Sequence, residues 1–360
     1  MRSVTAEAPG RVNLIGEHTD YHQGLVLPTV IPQRTRVELR ARDDRAVHAT
    51  SRETGNSSRR YVLGVETLSH TWVDYIQGVT KALSTVAPTL PGFDLRIESD
   101  VPLGSGLSSS AALEVALLRG LRELFALSFD DVELARIAQR AETEFVGAPV
   151  GIMDQMACSL AREGEALFLD TRSLNFQRLL LPGQAELVVI NSGVRHHHAG
   201  GEYATRRQES FEAAARLGVS FLRDLDEADL DRINALPEPW ARRARHIVTE
   251  NQRVRDAAEA LFVGDLERTG TLFYASHDSM RDDYQTSTAE LDLLVDLGRG
   301  DAGVYGARLT GGGFGGSVVM LVRSGEGAAI AARLLAEYHD RVVQRGSILI
   351  PLVPSTTQSF

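Results

Sequence analysis

The chain has 360 residues, 43% hydrophobic and 24% charged, which suits two domains or one large one with ample core. A formal net charge of −10 excludes the broad basic face of a nucleic-acid binder, though a small anionic ligand needs only a few local cations or helix ends. One cysteine, Cys158, excludes an internal disulfide framework, and no run approaches the roughly 18 apolar residues of a membrane span. With an N-terminus, MRSVTAEAPG, that lacks an apolar leader, these traits predict a cytoplasmic chain with no membrane or nucleic-acid partner.

The stretch GEHTDYHQG (16–24) crowds Glu17, His18, Asp20, Tyr21 and His22 behind a glycine. Buried without partners these groups cost free energy, so the stretch suits a solvated turn or a site that reads a hydroxyl-rich ligand. TRVELRA (35–41) and FDLRIES (93–99) alternate apolar and polar residues with the period of half-buried strands. A helix is predicted from Ser109 to about Leu127, and another over 130–145 with Asp130 or Asp131 as its N-cap. The second half opens on a strand-like AELVVIN (185–191). Helical patterns follow near 202–217, 241–262, 264–280 and 286–299, then a strand VVMLV (318–322) and a helix over 326–342. ILIPLV (348–353) reads as a last strand. No fixed repeat and no low-complexity linker divides the chain, so the domain boundary is set at 170.

Three stretches carry chemistry. In PLGSGLSSSAALEVA (102–116), Gly104 and Gly106 precede a serine triplet that opens a helix. Small residues let backbone approach a ligand, and the helix start offers free N–H groups and the positive end of the macrodipole. This describes a phosphate cradle, or else a serine-capped helix after a flexible turn. It is neither a Walker A loop, since no lysine follows, nor GxGxxG.

On the helix 130–145, Ala135, Ala138, Glu142 and Phe145 share one face while Glu144 points away. A carboxylate on that face calls for Mg²⁺ or an arginine. Just beyond, in GAPVGIMDQMA (147–157), Asp154 stands among apolar residues. It suits either the acceptance of a hydroxyl proton or the capping of a helix from Gln155. GARLTGGGFGGSVV (306–319) places five glycines between 311 and 316, before a strand. Such a loop presses its backbone against phosphates or another loop, or simply turns.

Together these motifs resemble those of the galactokinases, within the superfamily that also holds homoserine, mevalonate and phosphomevalonate kinases (the GHMP kinases). GRVNLIGEHTDYHQGLVLP (10–28) resembles the galactokinase signature, PLGSGLSSSAALEVA the superfamily's ATP loop, and LTGGGFGGSVV its third motif. VGIMDQ (150–155), VRHHHAGGEYATRRQ (194–208), ENQRV (250–254) and SHDSMRDDYQTSTAELD (276–292) are also similar to galactokinase segments.

The resemblance implies an α+β fold of two GHMP kinase-like domains, with mixed sheets packed by helices and the active site in the cleft between the domains. The N-terminal domain (1–170) would hold the sugar motif and ATP loop. The C-terminal domain (171–360) would hold the third motif, its last strand returning to the N-terminal domain. The implied activity is transfer of the ATP γ-phosphoryl group to the C1 hydroxyl of galactose, with Mg²⁺, by a monomer.

By the same resemblance Glu17 and His18 line the O6 side of the sugar and Asp20 the O3/O4 side, with Gly151 and Tyr203 as further contacts. Asp154 and Arg11 match the catalytic pair beside the C1 hydroxyl. Gly104, Ser105, Gly106, Leu107, Ser108, Ser109 and Ser110 match the ATP loop. Glu142 and a serine of the 108–110 triplet, taken as Ser109, match the Mg²⁺ site. Trp72 matches a residue near the base, or is a core tryptophan. The family usually has Asn where this chain has His22, a position expected to be a turn residue of unusual backbone angles. The run His196–His198 suggests a metal but falls where the family varies. The rival readings are a kinase of galacturonate, arabinose or N-acetylgalactosamine, and a non-catalytic sugar sensor. Sensors of this type lack part of the serine-alanine stretch that is intact here at Ser108 to Ala112.

Overall fold

The computed structural model describes residues 2–195 and 199–351. Its strands in chain order are β1 (Ser3–Asn13), β2 (Leu25–Val26), β3 (Pro28–Ala41), β4 (Ala46–Ser51), β5 (Ser57–Val62), β6 (Phe93–Ser99), β7 (Glu165–Asp170), β8 (Phe176–Leu180), β9 (Ala185–Arg195), β10 (Val304–Thr310), β11 (Gly315–Arg323) and β12 (Ser347–Ile350). They fall into two compact units that interleave along the sequence. The first comprises the residues through Arg11, Val30–Leu103 and Leu107–Glu163. The second comprises Val12–Thr29, Gly104–Gly106 and everything from Gly164.

In the first unit β1 pairs with β3, β3 runs antiparallel to β6, β6 parallel to β4, and β4 antiparallel to β5. The alternation read in 35–41 and 93–99 is the reason: Val37 and Leu39 lie opposite Ile97 and Leu95, and all four are buried. Four helices complete this unit: α1 (Val73–Leu83), α2 (Ser109–Leu124), α3 (Asp131–Arg140) and α4 (Met153–Leu160). Asp130 caps α3 by accepting from the Glu133 amide. The helix expected to run to 145 changes character at Ala141, where a π turn (Ala141–Val146) ends it. Glu142 is buried on that turn, Glu144 is exposed, and Phe145 is only half-buried because the wider turn rotates it off the stripe.

In the second unit β2 and β8 flank β7, and β10-β11-β9-β12 form an antiparallel sheet. Its helices are α5 (Ala199–Arg216), α6 (Leu230–Asn234), α7 (Trp240–Val263), α8 (Leu266–Ser279), α9 (Ala289–Arg299) and α10 (Gly327–Arg341). Val188, Ile190, Leu309, Val318 and Met320 of the sheet share one core with Leu294, Ile330 and Leu334 of the helices. Among the described residues no helix is long and apolar enough to cross a membrane.

Two expectations are corrected here. The boundary at 170 does not hold, because the sugar motif is sewn into the second unit. Leu25 and Val26 pair with Asp170 and Leu169, and the Gly16 and Leu25 amides donate to Glu250 and Asn251. The last strand stays in the second unit as well, since Ile348 lies opposite Ile190 of β9. Residues 352 and 353 of that expected strand, and the run His196–His198, lie outside the described residues.

Candidate active site

The first unit gathers an ion pair, hydroxyls and buried carboxyls. The Arg11 amide donates to the Leu107 carbonyl at 3.1 Å, and a Cβ on Gly10 would lie 2.8 Å from that carbonyl. Only glycine lets the strand run this close. The Arg11 side chain is buried and donates from Nε to Asp154 Oδ1 and from Nη2 to Oδ2, each at 2.8 Å. This bidentate pairing is strong and directional. Ser108 Oγ donates to Asp154 Oδ2 at 2.5 Å.

The helix-capping alternatives read from the sequence both fail. Asp154 lies inside the first turn of α4, whose N-cap is Ile152. Ser108 is the N-cap of α2 in the left-handed region (φ 59°), but its side chain does not cap; it is spent on Asp154. The first turn of the 16-residue α2 therefore presents N–H groups and the positive dipole end with no side-chain oxygen from its own cap.

Glu142 accepts from Ser110 Oγ at 3.0 Å and from Gln155 Nε2 at 2.8 Å. Burial, and next the charge of Asp154, raise its pKa to about 7 against the pull of these bonds. Glu114, fully buried on α2, is pushed well up by burial and then by Glu142. No lysine or arginine makes an ion pair with Glu142 among the described residues. Nor do three or more His, Cys, Asp or Glu side chains there converge on one point. A buried carboxyl beside a serine hydroxyl fits Mg²⁺, which takes one or two carboxylates and leaves other positions to water and phosphate. The serine of the triplet bonded to Glu142 is Ser110. Gly151 is buried just ahead of α4. Trp72, half-buried at the start of α1, donates its indole N–H to Ser57 Oγ at 3.2 Å.

The second unit holds the sugar motif and the glycine-rich loop in contact. Glu17 Oε1 accepts from the Gly311 amide at 2.8 Å, from Thr310 Oγ1 at 3.3 Å and from Arg308 Nη1 at 3.3 Å. Glu17 and Arg308 are both buried, so the pairing is screened little by solvent. His18 meets the Tyr21 hydroxyl through Nδ1 at 2.9 Å and the Gly312 carbonyl through Nε2 at 3.2 Å. Burial, followed by His246, lowers its pKa to about 3, so it is neutral at working pH. Asp20 Oδ1 accepts from the Tyr21 amide at 2.9 Å. The half-buried Tyr203 lies 5.2 Å from the His18 ring, and a Cβ on Gly312 would come within 3.0 Å of it.

The loop also reaches the first glycines of the phosphate stretch. Ser317 Oγ donates to the buried Ser105 backbone at 2.8 Å, and a Cβ on Gly311 would sit 3.4 Å from Gly106 Cα. Gly104 and Gly106 take positive φ, 68° and 77°, as such a turn requires.

His22 departs from its expected role. The left-handed residues of this turn are His18 and Gln23, and His22 is a fully buried anchor. Its Nε2 meets Ser210 Oγ at 2.8 Å, its Nδ1 accepts from the Leu222 amide at 3.3 Å, and its ring stacks on Phe211. Sequence reasoning also missed Arg308, Glu250, His246 and Tyr284. Glu250 accepts from Gly16 N and Ser276 Oγ, and His246 holds the Glu17 carbonyl. Their signal was faint: Arg308 sits in an apolar strand beside the glycines, and Glu250 and Tyr284 fall within family-like segments whose individual residues carried no assigned role.

The galactokinase galactose-binding signature matches residues 2–41, the GHMP kinases N terminal domain 74–162, and the GHMP kinases C terminal model 257–340. Galactokinases of Chloroflexus aurantiacus and Roseiflexus sp. are 45% and 42% identical over 97% and 96% of this chain and 90% of theirs. The structure of Lactococcus lactis galactokinase complexed with galactose superposes with a TM-score of 0.92 at 32% identity, covering 96% of this chain and 92% of that one. Methanococcus jannaschii mevalonate kinase, at 18% identity and a TM-score of 0.70 over 96% and 97% of the two chains, shares the fold. The chain belongs to the galactokinase family of the GHMP kinases.

Proposed function

We propose that the chain transfers the γ-phosphoryl group of ATP to the C1 hydroxyl of α-D-galactose, giving α-D-galactose 1-phosphate and ADP, the step that commits galactose to breakdown. The observation that carries this reading is the Arg11–Asp154–Ser108 cluster at the start of α2, in a chain whose sugar motif matches the galactokinase signature. Phosphoryl transfer asks little covalent work of a protein; positioning and charge stabilisation dominate.

In this reading Asp154 orients the C1 hydroxyl and accepts its proton. Arg11 holds that carboxylate in place and steadies charge on the transferring group. The uncapped start of α2, with Ser108, Ser109, Ser110 and the Gly104–Leu107 turn, binds phosphate oxygens. Glu142 and a triplet serine, Ser110 by its hydrogen bond, hold Mg²⁺. When bound, the ion neutralises charge on the phosphates. Asp20 accepts from the O3/O4 side of the sugar and Glu17 with His18 line the O6 side, with Gly151 and Tyr203 beside the ring. Trp72 lies near the base. Each chain carries a full set of these residues, so a monomer suffices, and a reduced, cytoplasmic setting suits its one buried cysteine, Cys158. The test is product identity: phosphorus NMR after incubation with galactose, ATP and Mg²⁺ should give a sugar 1-phosphate and ADP. Phosphate on another carbon, or none, rejects the reading.

A further inference from the structure

His18 uses both ring nitrogens inside the protein, which fixes its proton. The Gly312 carbonyl can only accept, so Nε2 must carry the hydrogen. Nδ1 is then an acceptor, and the Tyr21 hydroxyl at 2.9 Å must donate to it. That hydroxyl has given its one proton, so at 2.7 Å from the Tyr284 hydroxyl it accepts, and Tyr284 shares its hydrogen between Tyr21 and the more distant Arg206 carbonyl at 3.3 Å. Tyr284 is fully buried, lies in the MRDDY turn (Met280–Tyr284) and is 263 positions from Tyr21 in sequence. The result is a one-way chain of hydrogen bonds: Tyr284 to Tyr21 to His18 to the glycine-rich loop. Beside it, Glu17 takes the amide of the adjacent Gly311. The loop is thus held by its N–H at one residue and its C=O at the next, both from the sugar motif.

We propose that Tyr21 and Tyr284 are positioning residues for phosphoryl transfer: they lock His18 in the Nε2–H tautomer, and His18 thereby pins the glycine-rich loop at Gly312. Without the Tyr21 hydroxyl only the Gly312 bond favours the proton on Nε2, and Nδ1 is left without its donor. In the other tautomer a lone pair on Nε2 faces the carbonyl lone pairs, and the clamp becomes a repulsion. The consequence lands on the nucleotide, because the loop backs Ser105 and Gly106. That last step rests on the proposed role of the 104–110 turn in holding ATP.

The test uses Tyr21→Phe and Tyr284→Phe in the full chain, since phenylalanine keeps the ring packing and removes only the hydroxyl. Nitrogen-15 NMR of the histidines reads the tautomer directly and needs no activity. The wild type should show His18 with a protonated Nε2 and a bare Nδ1, Tyr21→Phe a mixture, and Tyr284→Phe a smaller change, because Tyr21 can still donate. Kinetically, KM for ATP should rise roughly 3- to 10-fold in Tyr21→Phe, the scale of one lost hydrogen bond, with KM for galactose within about two-fold. An unchanged tautomer in both variants, or a rise confined to KM for galactose, overturns the proposal. A wild type that does not phosphorylate galactose defeats the proposed function instead, and the NMR comparison still decides the tautomer lock.

Discussion

Arg11 grips Asp154 with both arms of its guanidinium, and Ser108 takes the oxygen shared with Nη2, so every acceptor on the carboxylate is oriented before a substrate arrives. The carboxylate is about a quarter exposed (27%) while Arg11 is buried (5%), so the cluster has one side from which a hydroxyl can approach. Asp154→Asn keeps the size and one acceptor but cannot take a proton. Turnover should fall roughly 10²-fold or more, with galactose affinity within a few-fold. Steady-state kinetics and a galactose titration on the variant check this, and near-normal turnover would reduce the pair to a structural ion bridge.

Glu142 gives a prediction whose sign depends on pH. Its pKa rises from the ordinary 4.5 to about 7 in the folded chain, so its protonated form favours folding. That contribution is complete below about pH 4.5 and is lost as pH rises through 7. Without metal, Glu142→Gln should match the wild type near pH 4.5 and exceed it by about 3 kcal/mol at pH 8. Added Mg²⁺ with nucleotide should shrink or reverse the difference at pH 8 by stabilising the wild type. Urea denaturation at both pH values, with and without chelator, measures it. A difference independent of pH contradicts the account.

The contrast between Glu142 and its neighbours marks how far the sequence could be read. A period of 100° per residue placed Glu142 on the apolar face, and the glycine-serine pattern placed the start of α2 at Ser109, as found. The π turn that carries Glu142 leaves no pattern, since it differs from a helix by one residue of winding. The bond from Ser110 to Glu142, and the loss of the Ser108 cap to Asp154, depend on contacts 32 and 46 positions away. The Glu17–Arg308 pair spans 291 positions, and no local periodicity encodes it. The motifs were legible because they are local; their wiring was not, because it is tertiary.

His22→Asn restores the residue usual in the family at a site built here for an imidazole. Asn is too short to reach Ser210, fill the stack on Phe211 and accept from Leu222 together. Stability should fall by about 1–3 kcal/mol, as for a buried hydrogen-bonded group removed from its partners. KM for galactose should hold within about two-fold. Chemical denaturation and kinetics on one preparation test both, and equal stability would mean that the site repacks around Asn.

Asp20→Ala should weaken galactose selectively. A carboxylate accepting from two adjacent hydroxyls is worth roughly 10- to 150-fold in affinity when the bonds are charge-assisted. Asp20 Oδ1 also accepts from the Tyr21 amide, so a purely structural role would instead lower the melting temperature and weaken both substrates. Paired titrations with galactose and a non-hydrolysable ATP analogue separate the two.

The central claim is that this chain is a kinase selective for galactose, and kcat/KM across a sugar panel with ATP and Mg²⁺ tests it most directly. The panel is galactose, its 4-epimer glucose, galacturonate, arabinose and N-acetylgalactosamine. The account predicts the highest kcat/KM for galactose, and at least about 10-fold less for glucose, whose inverted O4 forfeits a charge-assisted bond to Asp20. Equal or better turnover of any other member, with galactose poor, would contradict it.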